Sequence, residues 1–245
     1  MFFEVNEIRK RFGGLVAVDS VSFAVNEGEV TSVIGPNGAG KTTLFNLITG
    51  VFAPEEGDIY FRGERITGNP PHKLYHRGLA RSFQITNIFQ GLTVFENIRL
   101  ASQGKSRGLN LFSSVSHLKE CNEEARRILE LLGLWAHRDE LSGNLSHGDQ
   151  RYLEIGIALA ARPSMLLLDE PTAGMTPMET RSTIDLIKRL RTSVTILLIE
   201  HDIDMILEVS DRIIVMQLGQ ILTEGSPDEV KADKDVQKAY FGEEV

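Results

Sequence analysis

Cysteine is almost missing from this chain of 245 residues: the only one is Cys121, so no intramolecular disulfide can form, and the composition suits a reducing compartment. With no second thiol, Cys121 reads as an ordinary helix-surface or half-buried residue rather than a reactive one. Basic residues are outnumbered, 26 Lys and Arg against 34 Asp and Glu, and the net charge of −8 argues against a surface that tracks nucleic-acid phosphates. Long apolar runs are absent as well. Stretches such as Met165 to Leu168 and Thr195 to Ile199 fall far short of the roughly 20 residues that cross a bilayer, so any membrane association is expected to be peripheral. The opening segment, Met1 to Lys10, mixes charged with apolar side chains and lacks the apolar stretch of a secretory signal, so the chain is expected to start as mature protein. No low-complexity tract or internal repeat interrupts it. What remains, 42% hydrophobic and 24% charged, is a globular composition long enough for one α/β domain with an inserted subdomain or for two small domains.

The pattern of apolar residues supplies the architecture. Val18 to Val25 alternates apolar and polar residues, and Asp58 to Phe61 follows a Pro-Glu-Glu-Gly turn, which predicts antiparallel strands in the first part. Val30 to Ile34 reads as a buried strand, and the later runs Met165 to Leu168, Val194 to Ile199 and Ile213 to Met216 are short and aliphatic, as strands covered on both faces are; together they predict a mainly parallel central sheet. Between Gln84 and Leu145 no such run occurs. There Glu123 to Leu132 places Ala125, Ile128, Leu129 and Leu132 on one helical face, which predicts an inserted helical subdomain. Its Gly- and Ser-rich stretch Gln103 to His117 reads as a surface loop. A helix from about Asp149 to Arg162 and another carrying Ile184, Ile187 and Leu190 are expected to alternate with the later strands.

Chemistry enters at Gly35-Pro36-Asn37-Gly38-Ala39-Gly40-Lys41-Thr42, which matches the phosphate-binding loop G-x-x-x-x-G-K-[ST] and lies between the Val30 strand and a helix bearing Leu44, Leu47 and Ile48. Glycines let successive N–H groups, continuing through Thr43, turn inward around phosphate oxygens, and the helix start adds a favourable dipole. Lys41 is expected to reach the β- and γ-phosphates of ATP, and Thr42 to ligate Mg²⁺. Farther on, a hydrophobic strand ends in Asp169 and Glu170. Two acids at a strand end are commonly just solvated. Beside a phosphate loop they gain roles, Asp169 holding Mg²⁺ through its water shell and Glu170 orienting the attacking water or taking its proton.

Many ATPases share those two elements, and the residues between and after them narrow the class. Leu145-Ser-His-Gly-Asp-Gln150 resembles the LSGGQ signature of ABC ATPases, with His147 and Asp149 where the family has Gly and Gln. A helix start at Ser146 and Gly148 makes a second anion-binding edge, and Ser146 is also suited to a plain helix cap. The resemblance implies an ABC ATPase fold: an α/β P-loop NTPase core with a mainly parallel sheet, an N-terminal antiparallel β subdomain and an inserted helical subdomain. Residues 1–245 would form a single ABC ATPase domain, 1–84 and 151–245 making the RecA-like core with the antiparallel part and 85–150 the helical signature subdomain. By the same resemblance Phe12 stacks on adenine, Gln84 is the Q-loop glutamine that senses Mg²⁺ and the γ-phosphate, His201 is the switch histidine, and Ser146 and Gly148 act in trans. Thr176 departs from the aspartate common in the family's D-loop. Phe83, Ile88, Phe89 and Leu92 are either part of an apolar docking groove or core.

Within the family, Arg11 to Val18, Leu92 to Asn97, Ile199 to Asp202 and Ala239 to Glu244 resemble the larger ATPase subunit of branched-chain amino acid importers. That likeness implies an ATP-hydrolysing subunit, cytoplasmic and peripheral on the inner face of the cell membrane. Its partners would be a second ABC ATPase subunit (a homologue or a second copy), two integral membrane permeases and, indirectly, a solute-binding protein, with no nucleic acid. The solute is not written in the chain, and importers of urea, amides or aromatic acids share the pattern. Two readings compete: an ABC ATPase acting on ribosomes or DNA, opposed by the acidic balance and the lack of a long coiled coil, and a nucleotide-binding regulator without turnover, opposed by Glu170 and His201.

Overall fold

A computed structural model describes residues 1–82, 88–104 and 115–241, with the side chains of 115–117 and 239–241 left aside. The first elements are β1 (Phe3–Phe12), β2 (Leu15–Val25), β3 (Val30–Ile34), α1 (Lys41–Ile48), β4 (Glu56–Phe61), β5 (Glu64–Arg65), α2 (Pro71–Arg77) and β6 (Leu79–Arg81). There follow α3 (Val94–Gln103), α4 (Val115–Leu132), α5 (His147–Leu159), β7 (Met165–Asp169) and α6 (Pro177–Leu190). The chain closes with β8 (Thr195–Ile199), α7 (Ile203–Val209), β9 (Arg212–Gln217), β10 (Gln220–Gly225), α8 (Pro227–Ala232) and α9 (Lys234–Phe241). Two compact units result, 1–74 with 187–245, and 75–186.

The first unit holds both predicted kinds of sheet. Strand β1 pairs antiparallel with β2 and β4, and Phe3, Phe23 and Phe61 meet over this sheet with ring centroids 6.4 and 6.5 Å apart. Alternation along β1 fails at Glu7, whose φ of 49° belongs to a register shift between Val5 and Ile8, which is why the periodicity of Met1 to Lys10 did not announce a strand. Strands β8, β3 and β9 run parallel, and every residue of β3 and β8 is buried. Thr31 and Ser32 of β3 and Thr195 of β8 are buried with their apolar neighbours, as expected of strands covered on both faces. Strand β10 returns antiparallel to β9 through Leu218 and Gly219, whose φ values of 49° and 83° form the tight hairpin turn.

In the second unit β6 and β7 run parallel, and the helices between them form a packed group. Ala125, Ile128 and Leu129 of α4 are fully buried, as the helical spacing predicts. Close approach of α5 depends on Gly156, where a methyl group would stand 2.6 Å from Leu132 and 2.7 Å from Ile98. Helix α3 starts from a capping box in which Thr93 and Glu96 bond each other's backbone N–H groups. Helix α5 begins at His147, two residues before the predicted start, because Ser146 serves as its cap.

Cys121 is buried in α4, so the expectation of a surface or half-buried thiol is corrected; burial, followed by the charge of Glu120, pushes its pKa up. Nearby, the carboxylate of Glu124 takes bonds from Arg127 at 2.6 Å and Arg162 at 3.0 Å. Burial alone works to raise the pKa of Glu124, but the two guanidinium bonds outweigh it and the carboxyl ends below its ordinary value of 4.5. A depressed folded-state pKa contributes stability that is present above the unfolded value and lost as pH falls through the folded one. Glu124→Gln is therefore expected to lower the urea midpoint at pH 7, with the gap from the unsubstituted chain narrowing below about pH 4.5.

Candidate functional site

The phosphate loop leaves β3 at Gly35 and enters α1 at Lys41. Its glycines are required by geometry at two points. Gly35 has φ 156° and a side-chain methyl there would fall 2.2 Å from the carbonyl oxygen of Met216; Gly40 has φ 99° and a methyl would fall 2.3 Å from that of Ala17. The first bond of α1 runs from Leu44 N–H to Gly40 O, so the amides of Thr42 and Thr43 point out of the helix start, and Gly40 brings no side chain to cap them. Pro36 is half-buried, Asn37 and Gly38 are exposed, and Ala39 is buried. A glycine-rich backbone that leads into uncapped helix-start amides is the chemistry that receives a phosphate chain.

Lys41 is buried, and its Nζ donates to the carbonyl oxygens of Gly35 at 2.5 Å and Pro36 at 3.1 Å. The ammonium thus sits within the loop that the sequence assigns it to. Thr42 is exposed at the mouth of α1. Behind the loop stands a support that the motif did not reveal: Gly219 N–H donates to Ala39 O at 3.1 Å, and Asp19 N–H donates to Gly219 O at 2.8 Å. The β9–β10 turn, some 180 residues downstream, is therefore part of the cradle.

Phe12 ends β1 at a hairpin tip, 44% exposed, with the ring edge-on to Phe52 at 5.4 Å and Lys10 Nζ 5.6 Å from its centre. An exposed, braced aromatic ring is chemically suited to stacking. His201 follows β8 and is likewise exposed; its N–H donates to the buried carboxylate of Glu200 at 3.1 Å, and Nδ1 lies 3.6 Å from the same oxygen. Asp202, next in line, caps α7 through Met205 N–H.

In the second unit, Asp169 and Glu170 stand at the end of β7. Asp169 is buried and accepts a hydrogen bond from Arg81 at 2.6 Å, a partner that no sequence motif marks. Glu170 is half-buried with φ 45°, a left-handed conformation that a residue with a side chain rarely adopts, and Ala173 N–H closes a turn onto its carbonyl. Such strain concentrates where a side chain must be aimed. The hydroxyl of Thr42 in the first unit and the carboxylate of Asp169 in the second are each, taken singly, a hard oxygen donor of the kind Mg²⁺ takes. Gln84 and Phe83 lie outside the described residues.

The signature segment forms a helix start. Ser146 Oγ accepts from Asp149 N–H at 3.1 Å and donates to Asp149 Oδ2 at 2.8 Å, so the residue at the family's second variable position completes the cap. Gly148 is buried under Glu179, whose Oε1 would stand 2.4 Å from a methyl group there. Glu179 is itself fixed: its Oε2 accepts from both the N–H and the hydroxyl of Thr176 at 2.8 Å, and these bonds, with a smaller contribution from His147, hold its pKa below the ordinary value. Thr176 thus replaces the D-loop aspartate as the cap of α6, a T-x-x-E pattern that was readable in the sequence. Of the proposed groove residues, Phe89 is exposed and Ile88 and Leu92 are half-buried, and Asn97 anchors the segment by accepting from Phe89 N–H at 2.8 Å.

Comparison with known proteins agrees with these features. The ABC transporter family matches residues 18–173, and the family of branched-chain amino acid ATP-binding cassette transporters matches residues 220–245. The high-affinity branched-chain amino acid transport ATP-binding protein LivG of Salmonella typhimurium is 42% identical over 98% of this chain and 97% of its own. An ATP-binding cassette of an ABC transporter, solved in its ADP conformation, is 39% identical with a TM-score of 0.86 over 99% of both chains. A bacterial ABC transporter cassette solved as a dimer is 27% identical with a TM-score of 0.80 over 92% of this chain and 99% of that one. Among the described residues no helix is long and apolar enough to cross a membrane. With the α/β P-loop architecture, the nucleotide cradle and full-length relatives in agreement, the chain belongs to the ATP-binding, ATP-hydrolysing subunits of ABC transporters, in the branched-chain amino acid group.

Proposed function

We propose that this subunit binds MgATP between its own phosphate loop and the signature edge of a second cassette, and that hydrolysis there drives import of branched-chain amino acids through two integral permeases. The observation that carries the site is the cradle itself, in which Gly35 and Gly40 leave room for nothing but backbone while the amides beyond Gly40 face outward. The solute rests on the similarity to LivG over nearly the whole chain.

In this reading the backbone of Gly35 to Thr43 receives the phosphates, and Lys41 exchanges its bonds to Gly35 and Pro36 for the β- and γ-oxygens. Phe12 stacks on adenine. Thr42, Asp169 and Gln84 would hold the Mg²⁺ that accompanies the nucleotide, which would supply positive charge to the phosphate oxygens. Glu170 orients the attacking water and accepts its proton, and His201 donates a hydrogen bond toward the γ-phosphate. From the partner cassette, Ser146 and Gly148 close the site, with the Ser146 hydroxyl turning its proton from Asp149 to the phosphate.

The γ-phosphate then bonds to both subunits, and its loss removes the bridge. Differential contacts of this kind shift a dimer between closed and open forms. The working unit is one ABC ATPase domain, with residues 85–150 as its helical signature subdomain, placed on the inner face of the cell membrane and served by a solute-binding protein. Vesicles holding the complete transporter test this. ATP-driven uptake of leucine, isoleucine or valine in preference to urea, amides or aromatic acids is the expected result. Extraction that yields ribosomes or DNA in place of integral permeases sinks the assignment.

A further inference from the structure

Asp169 is 2% exposed, and the guanidinium that meets it belongs to Arg81, itself only 9% exposed. Strand pairing explains how residues 88 positions apart come together: β6 and β7 are parallel, Arg81 lies beside Leu167, and Ser82 N–H continues the ladder to Leu167 O at 2.9 Å. Both strands therefore end at the same edge, the edge where ligands gather in parallel sheets. A carboxylate so far from water needs a counter-charge and fixed hydrogen bonds to offset its lost hydration. Arg81 meets that need at Oδ2, to which its Nη2 donates at 2.6 Å.

We propose that Arg81 is the positioning residue of the metal carboxylate: by holding Asp169 at Oδ2 it presents Oδ1 to the Mg²⁺ that arrives with ATP. The inference rests on the reading of Asp169 as the residue that holds Mg²⁺. Carboxylates that serve metals are themselves oriented by hydrogen bonds, and loss of such an outer partner costs about 10- to 100-fold in metal affinity. An arginine suits the place because it stays charged at every working pH and keeps a planar donor set, whereas a lysine offers a compact, more strongly hydrated charge.

The experiment uses the full chain and a fluorescent ATP analogue, with nucleotide affinity measured in EDTA and the Mg²⁺ concentration for half-saturation measured at fixed nucleotide. Arg81→Met should raise that Mg²⁺ concentration about 10- to 100-fold while leaving the EDTA affinity unchanged, with Arg81→Lys between the two. Asp169→Asn should shift it in the same direction, and adding Arg81→Met to Asp169→Asn should produce little further shift, because the two residues act as one unit. A normal Mg²⁺ requirement in Arg81→Met with a raised one in Asp169→Asn overturns the role of Arg81 and leaves Asp169 in place. Normal requirements in both remove Asp169 from the metal site and the inference with it. A lowered requirement in Arg81→Met also overturns the proposal, since the guanidinium would then be competing with the metal. Should Arg81→Met lose EDTA affinity through misfolding, Arg81→Lys decides by the same readout.

Discussion

Glu170→Gln is expected to reduce steady-state ATP hydrolysis by about 10²- to 10⁴-fold, the range for loss of a positioned general base, while ATP binding survives. The substitution keeps the shape of the side chain and removes its charge and basicity. Because Glu170 sits at the end of β7 in a left-handed conformation, the backbone that aims it is unaffected by the change from acid to amide. The neutral side chain also lowers repulsion toward the γ-phosphate, so uncleaved nucleotide should be retained. Phosphate release and bound-nucleotide assays on the same preparation check both halves; near-normal turnover would take Glu170 out of the catalytic role.

Gly40→Ala is expected to weaken ATP binding at least about tenfold and to do so without unfolding the chain. Its φ of 99° is a conformation that residues with a side chain avoid, at a cost of about 1–3 kcal/mol, and each 1.4 kcal/mol is about a factor of ten in affinity. The new methyl would also meet the carbonyl oxygen of Ala17 at 2.3 Å, and that atom belongs to the β2 backbone, which cannot rotate away as a side chain would. The strain falls on the loop at the point where its amides face the ligand. Isothermal titration with ATP, alongside circular dichroism to follow the fold, separates a damaged cradle from a damaged domain.

Legibility of the fold and site in the sequence followed a physical division. The strands at Val30, Met165, Thr195 and Ile213 were readable because both their faces are covered, which leaves short, mainly apolar runs. Strand β1 was not, since the bulge at Glu7 breaks its alternation, and β10 carries no fully buried face at all. In the same way, contiguous motifs exposed the phosphate loop and the signature segment. What supports them comes from distant positions: Met216, Ala17 and Gly219 around the loop, and Arg81 against Asp169. A lone arginine after two apolar residues looks like the end of any strand, and only the parallel pairing of β6 with β7 gives it a partner. Thr176 is the opposite case. It stood out as a departure from the family, and its spacing from Glu179 already spelled a helix cap.

The account stands or falls on whether ATP joins two cassettes. Sedimentation of the Glu170→Gln chain, alone and mixed with its companion ATPase subunit, measures this directly. MgATP should convert monomers into a two-cassette species, ADP should not, and dilution of nucleotide should return the monomer. A chain that stays monomeric at saturating MgATP with and without the companion subunit, or one whose mass is the same with ATP, ADP or no nucleotide, would contradict a site completed by two subunits.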